Sequence, residues 1–306
     1  MTEKILVIKH GALGDIIQGF DAFASLRKSF PYAHITLLTT QSYQKLMTSS
    51  NWFDQILIDR RASVWNVNQA MNIWSLFRQS WDKIIDLQCS KRTASYARLK
   101  LTGTRWFGTA LNATDLMPDF SGIPNRQRML TAVSMAGAAE FEPDLSFLTS
   151  SDCIPRESGL RTPYAVILPS SSAAKPSKRW PIENYIKLAE ALKKEGFQPV
   201  LSGTEIDRPI TSKISAACPQ CLDLTGKPDL FLLAELALGA SFIIGNDTGP
   251  VFLAARLNVP TMMLMGDDTD PSMSAPYGEK AHWLKKDKIF QLSFDEVWEA
   301  IKLALK

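Results

Sequence analysis

The chain has 306 residues, 45% of them apolar and 21% charged, and a formal net charge of +3. This length suits two domains, each with its own core, and the mild charge argues against a nucleic-acid partner, which asks for a strongly basic face. No apolar run reaches the ~18–20 residues of a membrane span, and the opening "MTEKILVIK" lacks the apolar stretch of a secretory leader, so a cytoplasmic protein is expected.

In chain order, strand-like runs alternate with helix-like ones. "KILVIK" reads as a strand, and residues 15–29 as a helix with Ile16, Ile17, Phe20, Phe23 and Leu26 at helical spacing, ended by Pro31. Strands are expected at 34–40, 53–59, 82–88 and 104–109, and helices at 66–81 and 124–137. The polar stretch 149–163, broken by proline and glycine, is the best linker. The pattern then restarts, with strands at 164–169, 198–203, 221–226, 242–246 and 261–266. Helices fill 181–195, 206–217, 229–239, 249–257 and 294–305. Buried β-rich runs alternating with helices imply parallel sheets covered on both faces. Two such sets and one linker give two doubly wound α/β domains, 1–155 and 156–306. Ligands of such sheets bind beyond the carboxyl ends of the strands.

Two turns are placed to carry chemistry. In "KHGALGD", Gly11 and Gly14 allow a tight turn and a close approach of the backbone, with Ala12 between them. The spacing is G-x-x-G, and the second strand ends in Thr39 and Thr40 where a dinucleotide fold wants a ribose-binding carboxylate. The G-K-[ST] of a P-loop is missing as well. Asp15, at the start of the following helix, reads either as a cap or as a general base at the domain edge. In "GNDTGPVFLAARL", Asp247, Thr248, Gly249 and Pro250 open a helix, and its free N–H groups form a seat for a phosphate. Lys178 and Arg179 of "KPSKRWP" precede another helix and would neutralise a diphosphate; Trp180 reads as a packing residue. "CPQC" at 218–221 has no second pair to make a zinc site and does not open a helix after a strand, so these cysteines read as incidental.

Together these blocks resemble glycosyltransferase family 9, the ADP-heptose:lipopolysaccharide heptosyltransferases. "ILVIKHGALGDIIQGFDAFASLRKSFPYAHITLL", "DKIIDLQCSKRTASYARL" with "GTRWFG", "KRWPIENYIKLAEAL", "LTGKPDLFLLAELALGASFIIGNDTGPVFLAARLNVPTMMLMG" and "TDPSMSAPYG" follow that family's order. The resemblance implies the GT-B architecture: two doubly wound domains facing across a cleft, acceptor on the first, sugar donor on the second, and a last helix, 294–305, that returns toward the first domain. It implies an inverting transfer of heptose from ADP-heptose to an inner-core lipopolysaccharide acceptor, with no metal and no cofactor. "GDDTD" at 266–270 falls in the family's G-x-T-D-P loop and is read as loop, not as a metal motif.

By the same resemblance Asp15 is the catalytic base, beside the turn Gly11, Ala12 and Gly14. Lys178, Asp247, Thr248 and Gly249 hold the donor diphosphate; Glu205 or Asp207 meets the ribose, and Lys227 and Pro228 the base. The acidic, lipid-linked acceptor makes Lys9, Arg60, Arg61, Lys91, Arg92 and Arg128 candidate contacts, with a possible peripheral contact to the inner membrane near Val64 and Trp65. One departure is Phe252, where the family often has histidine, so a relative with another nucleotide sugar stays open; so does a nucleotide-binding protein without transferase activity. His10 is expected to be a partly exposed bystander.

Overall fold

The computed structural model describes residues 2–61, 67–149, 159–171 and 176–305. Val64 and Trp65, singled out above, lie outside the described residues. The chain divides into two compact units, Met1–Phe147 and Leu148–Lys306, where the sequence places the junction after residue 155.

In the first unit β1 (Lys4–Ile8), α1 (Leu13–Gln18), α2 (Phe20–Ser29), β2 (His34–Thr39), α3 (Gln44–Ser49), β3 (Gln55–Ile58), α4 (Val67–Phe77), β4 (Lys83–Asp86), α5 (Lys91–Tyr96), β5 (Arg105–Gly108), β6 (Asp115–Leu116) and α6 (Asn125–Met135) follow one another. The six strands are parallel, in the order β3-β2-β1-β4-β5-β6. Successive side chains of β1 point to opposite faces, yet Ile5, Leu6, Val7 and Ile8 are all fully buried. Both faces are therefore covered. Leu6 and Ile8 pack with Ile73, Leu76 and Phe77 of α4, Tyr96 of α5 and Trp106 of β5.

The second unit runs β7 (Tyr164–Leu168), α7 (Ile182–Lys194), β8 (Gln198–Leu201), α8 (Arg208–Ala217), β9 (Leu222–Asp223), α9 (Leu230–Gly239), β10 (Phe242–Asn246), α10 (Gly249–Arg256), β11 (Thr261–Met265), α11 (Pro271–Ser274), β12 (Ala281–Lys285) and α12 (Phe294–Ala304). Its sheet is again parallel and six-stranded, ordered β12-β11-β10-β7-β8-β9. Counted from its own first strand, this is the order of the first unit. Both are doubly wound sheets whose order reverses between the first and fourth strands, and ligands of such sheets settle at that reversal.

Several elements differ from their expected form. The helix expected at 15–29 is two, broken at Gly19, whose amide bonds back to Ile16. The strand expected at 221–226 shrinks to Leu222–Asp223. Strand β6 and the short helices α3 and α5 carry too few residues for a period to show in the sequence, and β12, half-exposed at the sheet edge, lacks the continuous apolar run of the other strands. In α12 the Ser293–Glu296 capping box opens the helix. Its buried residues, Val297 and Ile301, join Leu188, Leu192 and Leu264 in the second unit's core, whereas the sequence reading sends this helix back toward the first domain. Among the described residues no helix is long and apolar enough to cross a membrane.

The reversal in the second sheet needs a close backbone approach. A Cβ on Gly245 would lie 2.7 Å from both the Cβ and the carbonyl oxygen of Leu168 on the neighbouring strand, and 2.8 Å from Val251 Cγ2. Backbone cannot yield as a flexible side chain can. Gly245→Ala is expected to destabilise the protein by ~1–3 kcal/mol, the usual cost of overpacking, read as a lowered midpoint in chemical denaturation; an unchanged midpoint would show that the two strands are free to separate.

Candidate functional site

The first candidate region is the carboxyl edge of the first sheet. Gly11 has a φ of +114°, and a Cβ there would strike the ring of Tyr43; glycine is required on both counts. Ala12 is the N-cap of α1. Having no side-chain oxygen, it gives no cap bond, and Asp15 at the third helical position supplies the carboxylate instead. Asp15 Oδ2 accepts the Ala12 amide at 3.2 Å, and Oδ1 accepts Nδ2 of Asn125, from the start of α6, at 2.8 Å. Asp15 is half-buried. Both readings left open by the sequence are thus compatible in space: the carboxylate closes the turn and still keeps spare lone pairs.

Around it lies a charged cluster. Lys9 is almost fully buried and donates to the Leu87 carbonyl at 3.3 Å. Burial holds its ammonium below the ordinary lysine range, with Asp15, Cys89 and Asp86 pulling the other way. Asp86, at the end of β4, is fully buried, and that burial pushes its carboxyl up to about 6, against the amides of Gln88 and Cys89 that bond to Oδ1. The end of β3 supplies Asp59, also fully buried. It accepts the Tyr96 hydroxyl at 2.7 Å and the Arg61 amide at 2.7 Å, and pairs with Arg92 at 3.5 Å. His10 Nε2 lies 3.3 Å from Asp59 Oδ2, without hydrogen-bond alignment.

His10 is therefore no partly exposed bystander. It is 4% exposed, and burial drives its imidazole down to about 4, more than Asp59 raises it. Its backbone is tied on both sides, the amide to Gln88 Oε1 at 2.9 Å and the carbonyl to the Thr40 hydroxyl at 3.2 Å. The threonine at the end of β2 thus fastens the glycine turn.

The acceptor candidates separate. Lys9 and Arg92 belong to this cluster; Arg128 stacks over Phe120 at 5.3 Å and acts electrostatically on Lys9. Arg60, Arg61 and Lys91 expose their side chains to solvent. Asn125, Asp59 and Tyr43 are site residues that sequence reasoning missed. Their contacts span long stretches of chain, 110 residues for Asn125 and Asp15, and leave no periodic mark.

The second region is the reversal point of the second sheet. Lys178 pairs with Asp247 and donates to Thr269 Oγ1 at 3.0 Å, while the Thr269 hydroxyl bonds Asp247 at 2.5 Å. Lysine has three donors, so one remains for a ligand. Thr248 is the N-cap of α10 with no side-chain cap bond, and Gly249 is its first residue. Among the described residues, neither of their amides has an acceptor. Two unmet N–H groups at a helix start beside an ammonium attract an anion.

This edge is fixed by Asn246, buried at the end of β10. Its Oδ1 accepts the Trp180 amide at 3.0 Å and the Tyr185 hydroxyl at 2.9 Å, and its Nδ2 donates to the Pro169 carbonyl at 2.8 Å. The Trp180 indole donates to Leu292 at 2.7 Å; it is a packing residue, as its type suggests. Phe252 is buried in the second turn of α10.

On the far side of the same edge the loops after β8 and β9 are joined. Glu205 is exposed and clasped by Arg208 through Nε and Nη2, and the same Nη2 reaches the Thr225 carbonyl at 2.7 Å. Asp207 is buried and spends one oxygen on the amide and hydroxyl of Thr204, each at 2.8 Å. Of the two carboxylates, Glu205 is the one open to solvent. Lys227 is exposed and Pro228 half-buried in the next loop. In the 266–270 loop Asp267 pairs with Lys288, Asp268 accepts from Ser177 at 2.5 Å and Asp270 caps α11; among the described residues no group of three or more His, Cys, Asp or Glu is placed to hold a metal. Burial and the Cys218 thiol beside it raise the Cys221 thiol well above the ordinary range.

Comparison with known proteins gives the family and the fold. The model of glycosyltransferase family 9 (heptosyltransferase) matches residues 73–296. A stretch of 111 residues is 35% identical to lipooligosaccharide heptosyltransferase 2 of Haemophilus influenzae, spanning 35% of this chain and 32% of that protein. The structure aligns with E. coli ADP-heptose lps heptosyltransferase II at a TM-score of 0.76, over 99% of this chain and 98% of that one, at 20% identity. It aligns with E. coli heptosyltransferase WaaC with ADP at 0.79, over 98% and 99%, at 17% identity. The fold is that of the GT-B heptosyltransferases.

Asp86 and His10 give the first region opposed pH responses. A carboxyl raised in the fold above its ordinary 3.8 contributes stability that is complete below that value and is lost as pH rises through about 6. An imidazole lowered from 6.5 contributes stability that is complete above 6.5 and is lost as pH falls through about 4. In the shared window the two slopes oppose. Asp86→Asn is expected to make the unfolding free energy rise more steeply with pH between 4 and 6, and His10→Gln to make it fall, each by up to ~1 kcal/mol per pH unit relative to wild type; denaturation at stepped pH checks both signs.

Proposed function

Because the chain belongs to glycosyltransferase family 9, the heptosyltransferases, we propose that it transfers heptose from ADP-heptose to an inner-core lipopolysaccharide acceptor by one inverting displacement that uses no metal ion. The observation that carries this reading is the pair of unmet amides, Thr248 and Gly249, beside the Lys178 ammonium. A solved relative with ADP supports a nucleoside diphosphate as the kind of ligand this chain takes.

In this reading the second unit binds the donor. The α10 amino terminus and Lys178 take the diphosphate, and Asp247 with Thr269 aims the ammonium. Their positive charge meets the charge that grows on the leaving diphosphate. Glu205 takes the ribose hydroxyls, with Asp207 holding its loop; Lys227 and Pro228 flank the base. The first unit binds the acceptor through Lys9, Arg60, Arg61, Arg92 and Arg128, whose charges suit an acidic sugar. Asp15 accepts the proton of the acceptor hydroxyl as its oxygen attacks the anomeric carbon. The work is done in the cytoplasm, with peripheral contact at the inner membrane where the lipid-linked acceptor resides. Phe252 favours a second reading, a relative whose donor sugar differs, because an apolar ring stands where the family often has an imidazole.

Asp15→Ala is expected to lower turnover of ADP-heptose by ~10²–10⁴-fold, the usual worth of a general base, while the thermal shift with ADP is retained. Full turnover in that variant sinks the base assignment. Lys178→Ala is expected to weaken ADP binding by roughly tenfold or more, from the loss of a charge-assisted contact, as measured by calorimetry. A larger thermal shift with UDP, GDP or CMP than with ADP would move the assignment to another donor.

A further inference from the structure

Asn125 is the first residue of α6, where an asparagine side chain is not needed to cap the helix, since Pro124 is the N-cap and gives no side-chain cap bond. Its Nδ2 instead reaches 2.8 Å to Oδ1 of Asp15. An ionised carboxylate only accepts hydrogen bonds, so the nitrogen of the amide faces it. The second carboxylate oxygen takes the Ala12 amide at 3.2 Å. Asp15 is thus gripped from two directions, by the turn on its own helix and by a helix from far along the chain. Two donors, one on each oxygen, fix the carboxylate plane.

We propose that Asn125 is the positioning residue for Asp15, holding the carboxylate in the plane in which its remaining lone pair meets the acceptor hydroxyl. This rests on the reading of Asp15 as the base. A bond that only stitched α6 to the turn would need no particular acceptor; this one ends on the atom group assigned to the proton. The charged and titratable groups facing Asp15 are Lys9 at the end of β1 and Tyr43 beyond β2, the latter raised by burial and then by the Asp15 charge. Arg128, on the same helix as Asn125, and Asp86 act on Lys9. None of these is altered when the Asn125 amide is removed.

The test is a cycle of Asn125→Leu, Asp15→Ala and the double variant, assayed with ADP-heptose and deacylated inner-core lipopolysaccharide acceptors, with ADP thermal shift to confirm folding and donor binding. Asn125→Leu is expected to lower kcat by ~10–100-fold, the range for a misplaced catalytic group. KM for the donor should stay unchanged, and the double variant should be no slower than Asp15→Ala alone. Asn125→Ser, which keeps a donor, should recover part of the rate. A folded Asn125→Leu with wild-type kcat overturns the proposal while a slow Asp15→Ala leaves the base reading standing. A further loss in the double variant also overturns it, since Asn125 would then act apart from Asp15. Full turnover in Asp15→Ala, or none in the wild type with these substrates, overturns both readings.

Discussion

Two crossovers that leave neighbouring parallel strands in opposite directions open a gap at the strands' carboxyl ends, and both units are organised around such a gap. In the first it lies between β1 and β4, in the second between β7 and β10. Backbone groups that end a strand there cannot be met by another strand. The chain must supply side chains, tight turns or a helix start, and each of these brings polar groups into a sheltered place. The glycine turn with Asp15 follows the first strand of its sheet and the Asp247–Gly249 turn follows the fourth strand of the other, so the two turns flank equivalent gaps from opposite sides.

The two gaps solve the polar problem differently. In the second unit one neutral amide joins a strand end, a loop and a helix. Asn246 bonds Trp180, Tyr185 and Pro169 at once, so the segment carrying Lys178 is pinned to the end of β10 by uncharged bonds as well as by the Lys178–Asp247 ion pair, which leaves one ammonium donor open. A buried side chain with satisfied donors and acceptors costs little and specifies one arrangement. The first unit uses charges instead. Asp59 gathers a tyrosine hydroxyl, a backbone amide, a guanidinium and an imidazole. Such a group is expensive to bury and becomes tolerable only through its number of partners.

Much of the scaffold was legible from the residues. Runs such as "YAVILP" and "FIIGN" are continuous, apolar and short, which is how a strand covered on both faces must look. The turns were legible because glycine, proline and small polar residues are dictated locally. What the sequence hid was of another kind. Asn125, Asp59, Asn246 and Thr269 act through partners 22 to 110 residues away, and a lone asparagine in a helix start or strand end has many ordinary reasons to be there. His10 was misjudged for the same reason: nothing local says that Asp59 comes to meet it. The edge elements β6 and β12 were missed because their pairing is set by the neighbouring strand, not by their own composition.

Three carboxylates stand at the carboxyl edge of the first sheet, and their surroundings sort them. Asp86 is sealed, and burial pushes it up to about 6, the condition of a group whose charge is poorly supported. Asp59 is equally sealed but surrounded by donors, so its oxygens are spent on Tyr96, Arg92 and the Arg61 amide. Asp15 is half-buried with one donor on each oxygen. Of the three it alone combines donors that hold the carboxylate plane with an open side toward solvent. A base needs both: without donors the carboxylate loses its aim, and without an open lone pair it meets no substrate. Asp15 is the carboxylate of this edge that the base reading can use, because the neighbouring acids have been closed off.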